Sequence, residues 1–170
     1  ACATRLSLGL LNVDVKLKYA DSAIASANNS SNNELIVTAH MTKGTLIYFY
    51  FKKYRTALDE YLKAYNYSKK TDDKYRQHTI IYHIGVIKSY LGYYPEALEN
   101  FRNCITYFEP LANNTNLHPN LIFNNKRAYY NSLHQAIICY RNLGNFKVAD
   151  SLIDVGLSTT YGSQEFSMEH

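Results

Sequence analysis

The sequence predicts an all-α fold, an α-solenoid in which about four antiparallel helix pairs stack on one another. Three observations predict it: apolar residues recur at helical spacing, turn residues separate paired stretches, and one two-helix pattern recurs along the chain. The 170 residues, 46% of them hydrophobic, can support a packed core. A net charge of only +4 argues against disorder. No apolar run approaches the ~18 residues of a membrane-spanning helix, so we expect no membrane contact by this chain.

The first two copies of the pattern differ in clarity. LGLLNVDVKLKYADSAIASA is the fainter one, with Leu17, Ala20, Ile24 and Ala27 at helical spacing. GTLIYFYFKKYRTALDEYLKAYNYS is clearer, and its second helix carries a regular apolar stripe. The members of this stripe are Tyr54, Ala57, Leu58, Tyr61, Ala64 and Tyr65.

The third copy is the clearest, IIYHIGVIKSYLGYYPEALENFRNCITYF. Ile81, Ile84 and Ile87 share one helical face, Gly92 ends that helix, and Pro95 suits the first turn of the next. The second helix has one apolar stripe, so the segment predicts an αα-hairpin with a shared apolar seam. The stripe consists of Ala97, Leu98, Phe101, Cys104, Ile105 and Phe108.

The fourth copy, QAIICYRNLGNFKVADSLIDVGLS, follows a wider spacing, which predicts one long helix over about 121–143. Asn-rich and charged stretches at 27–34, 68–76 and 111–120 are typical of loops between the copies. We therefore expect one domain over 1–170 and regard the chain as a fragment of a longer protein. The predicted repeats span approximately 1–28, 34–69, 76–109 and 121–159, and 160–170 begins a further helix.

Four alanines occupy equivalent positions in the copies. They are Ala20, Ala57, Ala97 and Ala149. A bulky side chain at a close helix crossing would hold the two backbones apart, so we expect these alanines at the crossings.

The chain resembles a tetratricopeptide repeat protein. In the third copy the family's pattern is matched by Ile84-Gly85, Gly92 with Tyr94, Ala97 and Phe101, with Pro110 one residue late. The second and fourth copies match well, and the first copy matches weakly. The resemblance covers nearly the whole chain and implies stacked helix pairs whose concave face binds peptides.

The resemblance also implies which residues line that concave groove, because the first helix of each pair faces it. A Tyr-rich surface offers broad contact area at low entropic cost, which favours peptide binding, although packing of these tyrosines against neighbouring repeats explains the same pattern. The implied groove residues are Thr42, Leu46, Phe49, Tyr50, Tyr82, Val86, Tyr90, His134, Ile138, Arg141 and Asn142.

Other chemistry has little support in the sequence. No phosphate-binding, nucleophile-elbow or zinc-protease motif occurs, and His78 and His83 are spaced five apart, which does not suit two metal ligands on one helix. Cys104 and Cys139 lie on apolar stripes, which favours a core role for both. Lysines beside aromatics at 48–55 fit a solvated helix surface better than a nucleic-acid interface. We therefore expect no enzyme activity, no cofactor, no metal site and no nucleic-acid binding.

The leading hypothesis is a non-catalytic scaffold that binds a protein, a peptide or a neighbouring domain of its own chain. HIGVIKSYLGYYPEALENF is also similar to the sensor regions of Bacteroidetes transcriptional regulators, which would make the chain periplasmic. The alternatives are an assembly scaffold in the cytoplasm and a receptor for a secreted peptide pheromone. Open solenoid ends would expose an apolar face, so we also expect the chain to form a homodimer through those ends.

Overall fold

The fold was analysed in a computed structural model that describes residues 12–158. These residues form seven α-helices, with one π-helical turn at Ile47–Phe51 and no strand among them. The α-helices are α1 Val13–Ser30, α2 Asn33–Leu46, α3 Tyr54–Ser68, α4 Lys74–Tyr90, α5 Tyr94–Ala112, α6 Pro119–Asn142 and α7 Phe146–Leu157.

The helices follow the order of the predicted repeats, but α1 continues to Ser30 and so enters the stretch 27–34 that the sequence predicts as a loop. Helices α2 and α3 cover the predicted repeat 34–69, and α2 starts one residue before it. Helices α4 and α5 cover the predicted repeat 76–109 and extend slightly beyond both of its ends. The long helix expected over about 121–143 corresponds to α6. Helix α1 represents the first repeat. The rest of repeat 1–28 and the helix expected at 160–170 lie largely or wholly outside the described residues. The predicted all-α helical-repeat fold is confirmed.

The described residues fall into two compact units, 12–87 and 88–158, and the division lies inside α4. In the first unit, α1 packs on α2 and α2 packs on α3. In the second unit, α5 packs on α6 and α6 packs on α7. Each unit therefore consists of sequential helices that pair with their neighbours.

Asparagine has a structural use at the starts of the first helices. The Asn12 side chain accepts a hydrogen bond from the backbone N–H of Asp14 at the start of α1. The Asn32 side chain accepts from the backbone N–H groups of Glu34 and Leu35 at the start of α2. Such caps satisfy backbone donors that the helix itself leaves unpaired, which explains Asn at these loop–helix boundaries.

The four equivalent alanines are fully buried. Ala20, Ala57, Ala97 and Ala149 are all 0% exposed. In the first unit a glycine adds a second close approach, because a Cβ built on Gly44 of α2 would lie 3.2 Å from Cε2 of Tyr61 on α3. Their burial is what the sequence predicts for small residues between packed helices, and Gly44 marks a measured close approach of α2 to α3.

In the second unit the apolar stripe of α5 forms the core. Phe101 and Cys104 are fully buried and Phe108 is 1% exposed. Gly92 precedes α5 with a φ of +82°, a conformation that glycine adopts without strain. Pro110 lies inside α5, which continues to Ala112 and does not end at the proline.

The π-helical turn at Ile47–Phe51 follows α2 directly and is the feature that the sequence pattern did not predict. Lys52 ends it in the left-handed region with a φ of +53°. A π turn holds more residues than an α turn, so it changes the direction of the side chains that follow. Phe49 and Tyr50, which belong to this turn, are both exposed.

Candidate functional site

The candidate site is a cavity of about 780 Å³ in the first unit, between residues of α2 with its π-helical turn and the beginning of α4. We call it the α2–α4 cavity. Its size is typical of a site for a small molecule or a short peptide segment. Its lining residues are Thr38, Met41, Thr42, Thr45, Leu46, Phe49, Tyr50, Asp73, Tyr75, Arg76 and Thr79.

Threonines provide the polar part of the α2 wall. The hydroxyl of Thr38 donates to the carbonyl of Glu34 at 2.8 Å, and that of Thr42 donates to the carbonyl of Thr38 at 2.8 Å. Thr45 donates in the same way to Met41 at 2.9 Å. Each hydroxyl is therefore oriented by its own helix four residues back.

On the α4 wall, Arg76 is held from two sides. Its Nε lies 3.3 Å from Oδ2 of Asp73, and its Nη1 donates to the hydroxyl oxygen of Thr38 on α2. Asp73 also accepts from the backbone N–H of Arg76 at 2.8 Å, so the same carboxylate caps the beginning of α4. The guanidinium is thereby fixed at one end of the cavity.

The other end of the cavity is aromatic and has lysines beside it. Phe49 is 58% exposed and Tyr50 is 51% exposed. The buried Lys16 of α1 donates from Nζ to the hydroxyl of Tyr50 at 3.1 Å, and its Nζ lies 4.4 Å from the Tyr50 ring centroid. Lys52 lies 6.0 Å from the Phe49 ring centroid. The two lysines make this end electropositive while leaving a large aromatic surface open.

The structure brings part of the predicted groove together. Thr42, Leu46, Phe49 and Tyr50, four of the positions that the tetratricopeptide resemblance implies for a groove, all line the α2–α4 cavity. The remaining predicted residues are not part of its lining. Tyr82 is half-buried, Val86 is buried, Tyr90 is exposed, His134 and Ile138 are half-buried, and Arg141 and Asn142 are exposed.

Sequence reasoning missed the α4 wall of the cavity. Asp73 and Arg76 belong to a stretch that the charge pattern assigned to a connection, and Thr79 lies one turn further along α4. The signal that would have found Thr79 is helical spacing, because Thr79 precedes the predicted Tyr82 by three residues. On α2, Thr38 likewise precedes the predicted Thr42 by four residues.

A second polar cluster lies around the buried Glu60 of α3. Its carboxylate Oε2 is 2.7 Å from Nδ1 of His40, and Oε1 is 3.0 Å from Nζ of Lys63 and 3.6 Å from Nζ of Lys43. Lys43 also contacts Asp21 of α1 at 2.8 Å. Burial by itself would raise the pKa of Glu60, but the hydrogen bonds from His40 and Lys63 and the nearby lysine charges outweigh it and lower the pKa. The cluster therefore joins α1, α2 and α3 through charged contacts.

Burial favours the neutral forms of His83 on α4 and Cys104 on α5. Burial lowers the pKa of His83 to about 4 and raises that of the Cys104 thiol to about 12, against a smaller opposing effect of the hydrogen bond with Ser132. Such a thiol is a poor nucleophile because its reactive thiolate is scarce.

Within residues 12–158 no three His, Cys, Asp or Glu side chains lie together as a metal site. No helix of this part of the chain is long and apolar enough to cross a membrane.

Comparisons with known proteins bear on the fold. No family model matches the sequence, and no curated protein matches it. The chain is similar in structure to BtubC (BKLC) from P. vanneervenii, with a TM-score of 0.65 and 16% sequence identity. The similarity covers 84% of this chain and 54% of BtubC, so the chain spans about half the length of that protein. At this identity the likeness shows a shared all-helical fold.

Proposed function

We propose that this chain is a non-catalytic binding module of the tetratricopeptide type, and that its α2–α4 cavity takes a short peptide segment of a partner. The observation that supports this most directly is the convergence of Thr42, Leu46, Phe49 and Tyr50 on one cavity. The tetratricopeptide resemblance implies that these four residues belong to a peptide-binding face.

The composition of the cavity fits a peptide better than a charged metabolite. Leu46, Met41 and the aromatic residues supply apolar contact area, and the threonines add a few fixed polar groups. Large rigid aromatic side chains are favourable anchors at binding surfaces, since they lose little conformational entropy on binding.

A peptide selection tests the proposal with a built-in reporter. The chain contains no tryptophan, so the emission of a Trp-containing peptide reports on the peptide alone. A library of capped octapeptides with one fixed Trp is selected on the wild-type chain, and the best binder is titrated against Thr42→Phe, which fills the cavity. We expect the substitution to weaken binding at least tenfold.

The matched control is Thr56→Phe, at an exposed position of α3 outside the cavity lining. This variant is expected to bind the selected peptide as the wild type does. Equal weakening by both substitutions, or a library without any binder, would contradict the proposal.

Within this proposal, the chain acts as the sensory region of a periplasmic transcriptional regulator. The resemblance of HIGVIKSYLGYYPEALENF to such regions supports this assignment. A reporter gene placed behind a promoter that the regulator controls should respond to the selected peptide in cells that carry the full-length protein. The Thr42→Phe substitution should abolish this response. Binding without any transcriptional response would favour an assembly scaffold.

A further inference from the structure

We propose that the aromatic end of the α2–α4 cavity selects ligands by charge and takes one carboxylate side chain, an aspartate or a glutamate within the bound segment. The Tyr50 hydroxyl donates to that carboxylate, and the buried ammonium of Lys16 behind the hydroxyl supplies the positive charge. Lys16 never touches the ligand and is a positioning residue that acts through Tyr50. The inference rests on the proposed function and adds which chemical group the cavity selects and where that group lies.

The first observation is a buried positive charge without a negative partner. Lys16 of α1 is only 2% exposed, yet it forms no ion pair with a carboxylate among residues 12–158. The sequence just before α1 adds none, because residues 1–11 contain no aspartate or glutamate. A buried ammonium is costly unless a negative charge compensates it. A ligand that brings one negative charge close to Lys16 therefore removes part of this cost.

The second observation concerns the hydrogen of the Tyr50 hydroxyl. Nζ of Lys16 donates to this hydroxyl at 3.1 Å, so the oxygen is already an acceptor. Its own hydrogen has no acceptor among residues 12–158, and the exposed side chain lines the cavity. A hydroxyl that accepts from a charged group becomes a stronger donor, because linked hydrogen bonds polarise one another. Tyr50 thus presents a charge-assisted O–H donor to the cavity.

The two ends of the cavity differ in charge. At the α4 end, Nε of Arg76 lies 3.3 Å from the carboxylate of Asp73, so the charge of the guanidinium is compensated within the protein. At the aromatic end Lys16 has no such partner, and the exposed Lys52 forms no ion pair within residues 12–158 either. A negative group of a ligand is consequently attracted to Tyr50 more strongly than to Arg76.

The neighbours of Tyr50 favour a single carboxylate in an otherwise apolar segment. Leu46 and Phe49 line the cavity beside it and supply apolar contact area. Charges attract one another more strongly where apolar groups replace water, so the charge of Lys16 acts more strongly here than at an open surface. One ammonium compensates one negative charge, which favours one acidic residue over a run of them.

The experiment uses the Trp octapeptides selected on the wild-type chain, whose capped ends carry no charge. We expect the best binder to contain an aspartate or a glutamate. Replacing that residue by its amide, asparagine or glutamine, should weaken binding at least about tenfold, since hydrogen bonds to charged groups are stronger than those to neutral ones. The measured quantity is the ratio of the two dissociation constants, that of the amide peptide over that of the acid peptide.

Two variants test the two parts of the arrangement. Tyr50→Phe removes the donor, and Lys16→Met removes the charge behind it while filling a similar volume. Each should reduce the ratio to about twofold or less. Because the acid and amide peptides are compared on the same variant, a general loss of packing in the cavity cancels from the ratio.

The matched control is Lys18→Met, which removes an exposed lysine of the same helix and should leave the ratio unchanged. Salt provides a second control. A buried charge is screened much less than an exposed one, so the wild-type ratio should stay above about fivefold in about 0.5 M salt. Circular dichroism melting checks that every variant is folded.

The outcomes are distinct. A best binder without an acidic residue, or a ratio that survives in Tyr50→Phe or in Lys16→Met, overturns this inference and leaves the proposed function standing. A ratio that disappears in high salt, or that falls equally in Lys18→Met, overturns it too, since exposed charges would then make the selection. Failure of every library peptide to bind overturns both proposals.

Discussion

The imidazole of His83 on α4 lies flat against the ring of Tyr61 on α3, with 5.1 Å between the ring centroids and 8° between the planes. Tyr61 is 1% exposed and its hydroxyl is bonded to Thr45 on α2. One aromatic ring thus connects three helices of the first unit. Tyr61 therefore packs against side chains of both α2 and α4.

The first prediction concerns the pH dependence of stability at His83. Burial lowers its pKa to about 4 from an ordinary 6.5, so the unfolded chain takes up this proton first as the pH falls. The stabilising contribution of the neutral His83 is fully present above about pH 6.5. It decreases as the pH falls from about 6.5 to about 4, and the total loss is at most about 3 kcal/mol. Urea unfolding at several pH values should show a shallower acid loss for His83→Phe than for the wild type. An identical pH dependence in the two proteins would contradict the prediction, and His78→Gln serves as the control.

The second prediction concerns the close approach at Gly44. Its Cβ would lie 3.2 Å from Tyr61, a ring that His83 and Thr45 prevent from moving aside. Overpacking costs about 1–3 kcal/mol, while alanine gains up to about 1 kcal/mol in helix propensity. We expect Gly44→Ala to lower the free energy of unfolding by about 1 kcal/mol, measured by urea denaturation. An increase in stability would show that the ring can shift.

The third prediction concerns the buried carboxylate of Glu60. Glu60→Gln would leave Lys43 with Asp21 alone and would remove the acceptor charge from His40 and Lys63. We expect the free energy of unfolding at neutral pH to fall by about 2 kcal/mol, since an amide accepts these hydrogen bonds more weakly than a buried carboxylate does. The neighbouring exposed Asp59→Asn should change it by less than about 0.5 kcal/mol.

The pH dependence provides a second measurement on Glu60. Because its folded pKa lies below the ordinary 4.5, its stabilising contribution is present above that value and is lost as the pH falls through the lower folded pKa. The acid-unfolding midpoint should therefore move to higher pH in Glu60→Gln. An unchanged midpoint would show that the cluster contributes no net stability.

The fourth prediction concerns the thiol of Cys104. With a pKa of about 12, roughly one molecule in ten thousand carries the thiolate near pH 8, and the side chain is 0% exposed. We expect iodoacetamide to label Cys104 at least a hundredfold more slowly in the folded chain than in urea, as followed by peptide mass spectrometry. Comparable rates in the two states would show frequent opening of α5 from its core.

The sequence predicted the fold through residues whose environment is local. Helical spacing and the small residues at Ala57 and Ala97 were enough, because both positions are set by close packing of adjacent helices. The groove positions Thr42 and Phe49 came from the tetratricopeptide resemblance and not from spacing alone. The turn at Gly92 followed from the conformational freedom of glycine.

Contacts between side chains on different helices could not be predicted from helical spacing. Nothing local to His40 indicates that Glu60, twenty residues later, provides its partner. Arg76 was assigned to a charged connection, because its contact with Thr38 depends on how α4 lies against α2. Pairings of this kind become visible only when the helices are assembled.

The π-helical turn after α2 has a consequence for designed versions of this protein. The turn contains more residues than a regular α-helical turn. Side chains from Ile47 onward therefore no longer follow the regular spacing of about 100° per residue around the helix axis. A consensus repeat grafted over 33–68 would restore a regular α-helix and rotate Phe49 and Tyr50 to new directions. Such a graft would keep the helix pairs and remove the aromatic end of the cavity. This one irregular turn therefore distinguishes the chain from a regular repeat of the same architecture.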